Sequence, residues 1–152
     1  MRYRTAKIGA FGFIALLSAP LALASLGGVE ATVEADRLQI GATRRVVNAD
    51  TRFTLHELQA PSGTTVREYV SPTGVVFGVA WQGPTMPDLR QVLGGYFDQY
   101  VGAVTARRTR GGPVLIQLPG LVVQSGGHMR AFAGKAYVPG SLPQGVSAED
   151  IR

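Results

Sequence analysis

From Asp50 onward the chain alternates. Phe53-Thr54-Leu55-His56-Glu57-Leu58 switches between apolar and polar at nearly every step, which is the period of a strand with one face buried. It stops at Pro61-Ser62-Gly63, a turn cluster. Residues 64–70 and 75–81 are rich in β-branched and aromatic side chains, and Ser71-Pro72-Thr73-Gly74 divides them. Proline presets φ for a turn and glycine accepts positive φ, so these two runs are expected to pair as a hairpin. The period then changes. After Gly83-Pro84, Leu89, Val92, Leu93, Tyr96, Phe97, Tyr100, Val101 and Val104 fall on one stripe of a helix, with Arg90, Gln91, Asp98 and Gln99 opposite. Thr85 as cap, Pro87 without need of a donor and Asp88 in the first turn start this helix, which ends near Arg107.

Gly94-Gly95 sits in the middle of that stripe, where each glycine costs roughly 1 kcal/mol relative to alanine. Close approach of another backbone is the expected compensation, with a kink or a bound ligand as the alternatives. Past Gly111-Gly112-Pro113 two apolar runs follow, residues 114–118 and 121–124, divided by Pro119-Gly120. The second leads through Ser125-Gly126-Gly127-His128 to residues 129–138. Gly-Gly as a two-residue loop suits a type I′ turn, because both positions need positive φ. Strands interrupted by a single helix predict an α+β fold: an antiparallel sheet made of a three-strand meander, one amphipathic helix packed on one face, and a C-terminal hairpin with an extra short strand beside it. The helix-free face must then be covered or polar.

The amino-terminal region has another character. Arg2, Arg4 and Lys7 precede an apolar run from Ile8 to Leu23 that ends in Ala22-Leu23-Ala24, the layout of a cleavable signal peptide over residues 1–24. Residues 25–49 read as a linker with one short helix near 33–40, and residues 50–152 as a single α+β domain. Cleavage removes three cations and takes the net charge from +5 to +2, which weakens any case for nucleic acid. No membrane span is expected after cleavage. The chain has no cysteine, so disulfides, a thiol nucleophile and thiolate metal sites are excluded.

Two blocks carry a resemblance. One is Ser62-Gly63-Thr64-Thr65-Val66-Arg67-Glu68-Tyr69-Val70-Ser71-Pro72-Thr73-Gly74, continued by Val76-Phe77, Trp81-x-Gly83-Pro84 and Pro87-Asp88-Leu89; the other is Ser125-Gly126-Gly127-His128-Met129-Arg130-Ala131-Phe132. Over residues 51–152 the chain resembles a proteobacterial family of small exported proteins known only as a domain of unknown function. The resemblance implies a periplasmic address in a Gram-negative cell, with full secretion as the alternative, and brings no catalytic residue with it.

The candidate chemistry is sparse. Ser125 and His128 flank Gly126-Gly127 and are expected to face each other as the closing pair of a hairpin, with Arg130 on the same face, which opens a hydrolase reading. Neither an acid behind the histidine nor a Gly-x-Ser-x-Gly elbow accompanies them. His56 and Glu57 are adjacent and so point to opposite faces of a strand; no spacing supports a metal site built on His56 and His128. Glu57, Glu68 and Asp88 are candidate acid and base partners without a motif. Arg107, Arg108 and Arg110 suit the negative end of the helix dipole, or the grip of an anionic envelope component. Trp81 suits the core, or an anchor for a partner. No cofactor motif is present. The composite expectation is a non-enzymatic binding or accessory protein of the cell envelope whose partner is another envelope protein or an anionic component. Its alternatives are a small hydrolase using Ser125 and His128, and a surface binder using the three arginines.

Overall fold

A computed structural model describes residues 26–107 and 111–152; the proposed signal peptide and the residues Arg108 and Arg110 lie outside the described residues. Seven strands form one antiparallel sheet: β1 (Arg44–Ala49), β2 (Thr54–Gln59), β3 (Thr65–Val70), β4 (Val76–Gly83), β5 (Val114–Leu118), β6 (Leu121–His128) and β7 (Ala131–Tyr137). Their order is β1-β2-β3-β4-β7-β6-β5. The chain therefore builds a four-strand meander, crosses in helical structure, and returns with a three-strand meander whose last member pairs β4. The α+β class and the antiparallel sheet stand as expected, while the strand count differs from a three-strand meander plus hairpin. The stretch read as linker supplies the missing edge strand β1 as well as helix α1 (Val33–Ile40).

Register sorts the side chains onto two faces. Val66, Glu68 and Val70 of β3 lie on one face with His56 and Leu58 of β2, Val79 and Trp81 of β4, Ala136 of β7, Val123 and Ser125 of β6 and Ile116 of β5. Helices α1, α2 (Leu89–Leu93) and α3 (Phe97–Thr105) cover this face, bringing Val33, Val92, Leu93 and Tyr100 into the larger core. Leu26 joins them, fixed by main-chain bonds from Leu26 N–H to Val92 O and from Gly27 N–H to Val76 O.

The single long helix expected across residues 86–107 is instead two helices joined by a 3-10 turn at Gly94–Tyr96. Gly94 takes φ 49 and ψ −123, a combination open to glycine alone, and it breaks the helix there. The close approach expected at this glycine pair is not found at Gly95, whose missing Cβ would meet nothing within 4 Å. The apolar stripe still packs on the sheet, except Val101, which is exposed. Asp88 caps α2 by accepting from Arg90 N–H at 2.9 Å. Thr85, expected as the cap, instead bonds to Thr64 and Ser62.

The second face is closed at its centre by residues 142–152. Val146 and Ile151 pack with Phe53, Leu55, Tyr69, Phe77 and Tyr137 into a smaller core. Ile151 lies over Gly78, where a Cβ would stand 2.7 Å from its Cδ1. The strap is pinned through its backbone: Tyr69 Oη donates to Arg152 O at 2.9 Å and accepts from Arg152 N–H at 3.1 Å, and Lys135 Nζ donates to Ala148 O at 2.6 Å. The capping signal at Ser147 closes a turn here, Ser147 N–H and Oγ–H both bonding to the Asp150 carboxylate.

Candidate functional site

Beside this strap the second face opens into a cleft of about 610 Å³, within the size of sites that hold small molecules. Its apolar wall comes from Leu115, Pro113, Ala133 and Ile151, and its polar groups are Gln82, Gln124, Ser125, Lys135 and Arg152. Strand alternation explains the mixture. Leu115 of β5, Gln124 of β6, Lys135 of β7 and Gln82 of β4 all project to the helix-free face. On that face residues 142–152 do not cover β5, and Leu115 is 53% exposed. No acid and no histidine lines the cleft. Its electrostatic character is therefore cationic and amide-rich.

A second polar constellation lies under the helices. Asp36 of α1 and Glu68 of β3, 1% and 2% exposed, share a hydrogen bond, and Gln91 Nε2 donates to Asp36 Oδ1 at 3.2 Å. Two carboxyl groups bond this way only if one keeps its proton. Burial, then the adjacent Asp36 charge, pushes Glu68 up to about 9. Burial raises Asp36 to about 6 against the lowering bonds from Glu68 and Gln91. At neutral pH Glu68 is therefore the neutral donor and Asp36 the carboxylate. Glu68 Oε2 has no partner. Next to it on the sheet is His56, paired in register with Glu68. Arg45 donates to His56 Nδ1 at 2.9 Å, which fixes the histidine proton on Nε2, facing Glu30 Oε1 at 3.0 Å. Burial lowers the His56 pKa, and it stays neutral.

The sequence candidates fall in separate places. Ser125 and His128 are not a closing pair: Ser125 is opposite Gly134, His128 is opposite Ala131, and Met129-Arg130 makes the turn. Gly126 and Gly127 belong to β6. Gly127, at φ 125, has its absent Cβ position directly against Ala131 O, so strand proximity and not a turn demands the glycine. Three residues apart on one strand, Ser125 and His128 point to opposite faces. Ser125 is buried beneath the cleft and His128 is exposed, its Nδ1 bonding to Met129 O. Arg130 stands on the turn and lines a small hollow with Pro84 and Phe132.

His56 and His128 sit on strands four places apart in the sheet, roughly 19 Å by strand spacing. Among the described residues no three His, Cys, Asp or Glu side chains are grouped to hold a metal ion. Glu57 pairs with Arg67 on the strap face, and Asp88 is consumed as a cap. Arg107 donates to Pro113 O. Trp81 is buried against the main core yet borders the cleft, its Nε1 unpaired.

Sequence reasoning missed the Asp36–Glu68 pair. The available signal was phase: Glu68 alternates with Val66 and Val70, an acid in step with core valines. It also missed Leu115, Gln124 and Lys135, whose convergence depends on β7 inserting between β4 and β6.

The family described as protein of unknown function (DUF2844) matches residues 22–151. No curated protein and no solved structure matches the chain. Among the described residues no helix is long and apolar enough to cross a membrane.

Proposed function

The chain belongs to the DUF2844 family, proteins of unknown function, and from that premise we propose that it is an exported, non-enzymatic binding protein of the cell envelope that holds an amphipathic anion in the cleft beside its strap. The observation that carries the reading is the cleft's lining: an apolar wall at Leu115, Ala133 and Ile151 next to two cations and two amides, with neither acid nor histidine. A ligand with an apolar body and one carboxylate or phosphate end matches that distribution, and with no acid and no histidine beside Ser125 and Lys135 the lining fits holding such a ligand better than transforming it. Export rests on the cationic start, apolar run and Ala-x-Ala ending of the first 24 residues. Periplasmic residence follows from the same signal in a Gram-negative cell.

Trp81 is the single tryptophan and borders the cleft, so its emission reports occupancy. Titration with decanoate is expected to give a saturable change, and decanol a response a few-fold weaker, the worth of one partly exposed ion pair. Leu115→Asp is expected to abolish the response, and Lys135→Ala to remove the preference for the acid. A linear, non-saturating signal for both compounds, or an undiminished one in Leu115→Asp, refutes the reading.

A further inference from the structure

An open sheet has two edges, and this one treats them differently. β1 begins on two consecutive arginines and carries Asn48. β5 reads Val-Leu-Ile-Gln-Leu, without a charge, bounded by Pro113 and Pro119. Charge on an edge strand is the ordinary guard against strand addition, and β5 lacks it. Among the described residues no strand lies beyond β5.

The hydrogen-bonding pattern of that edge follows from its turn. Pro119-Gly120 is a two-residue turn between paired Leu118 and Leu121, so those two residues exchange main-chain bonds. The pattern repeats at Ile116–Val123 and Val114–Ser125. The N–H and C=O groups of Leu115 and Gln117 are thereby directed away from β6, into the space beyond the sheet.

We propose that this edge pairs with β5 of a second copy, antiparallel about a two-fold axis at Ile116. Leu115 of each copy then stands opposite Gln117 of the other, and both pairs exchange both main-chain bonds. The arrangement is isologous, as most closed homodimers are. A copy is the fitting occupant because the free groups are arranged symmetrically about Ile116 and no charge opposes itself across the axis. The pairing stands on the strand's main chain and not on what the cleft holds, so an empty cleft leaves it untouched.

Amide exchange of the unmodified chain, measured at low micromolar and near-millimolar concentration, reads the edge directly. Exchange at Leu115 and Gln117 is expected to slow at least about tenfold at the higher concentration, while sedimentation equilibrium shows a dimer. Gln117→Pro removes an N–H that β6 does not use, and an edge strand accepts it; that variant is expected to be folded and monomeric. Val47→Lys, on the opposite edge, is expected to remain dimeric. A monomer at every concentration, a dimer that survives Gln117→Pro, or fast exchange at both amides within a dimer overturns the proposal. A monomer that captures an added extended peptide at β5 also overturns it, in favour of a foreign strand.

Discussion

Arg130 is the only described residue other than glycine with positive φ, at 68°. It occupies the second position of the β6–β7 turn, where a type II turn asks for glycine. The left-handed backbone costs a residue with a Cβ about 1 kcal/mol. Arg130→Gly is therefore expected to raise unfolding free energy by up to about 1 kcal/mol, read as a higher urea midpoint at unchanged slope. A lower midpoint would mean that the arginine side chain contributes more than the strain costs.

Glu68 gives the residue-scale prediction for pH. Its folded pKa of about 9 stands above its ordinary 4.5, so the native state holds a proton that the unfolded chain has released. That contribution to stability is complete below the ordinary value and is lost as pH rises toward 9. Asp36 behaves alike over a lower window ending near 6. His56, lowered by burial, works in the opposite direction below its ordinary value of 6.5, so the interval from about 7 to about 9 isolates Glu68. Across it the wild-type melting temperature is expected to fall by at least a few degrees. Glu68→Gln, neutral at every pH, is expected to flatten the slope; an equal slope in the variant would contradict the protonated carboxyl.

At the scale of elements, the helical crossover separates two adjacent glycines by sign. Gly94→Ala forces a side chain into φ 49, ψ −123 and is expected to cost about 1–3 kcal/mol. Gly95→Ala meets open space and is expected to be neutral or to stabilise by up to about 1 kcal/mol, the gain in helix propensity. Chemical denaturation of the two variants checks the contrast, and equal effects would remove the assigned break.

The same crossover shows what was legible beforehand. Period-2 alternation at Phe53–Leu58 and the 3.6-residue stripe from Leu89 marked elements by their burial pattern, and those elements exist. β1 left no such mark, because an edge strand exposed over most of its length has no buried phase to display. Gly126-Gly127 misled, since a glycine demanded by a neighbouring strand and a glycine demanded by a turn are identical in sequence. The cleft was illegible for a different reason: its lining residues are gathered by the order of strands in the sheet, which local patterns do not encode.

At the scale of the whole molecule, two layers of different kind close one sheet. Helices bury one face, and residues 142–152 bury only the middle of the other, so the cleft is the part of that face the strap does not reach. Ile151 anchors the strap from a fully buried position over Gly78. Ile151→Ala is expected to cost about 2–5 kcal/mol, and to disturb the cleft wall along with the fold.

The helix-free face, and not the helix face, is the one proposed to receive a ligand. The most direct measurement is a map of amide shift changes in the isotope-labelled chain as decanoate is added. Saturable changes are expected only at Gln82, Leu115, Gln124, Ala133, Lys135 and their neighbours, with α1 and the Asp36–Glu68 pair unmoved. Changes centred on the helices, or none up to millimolar ligand, would contradict the proposal.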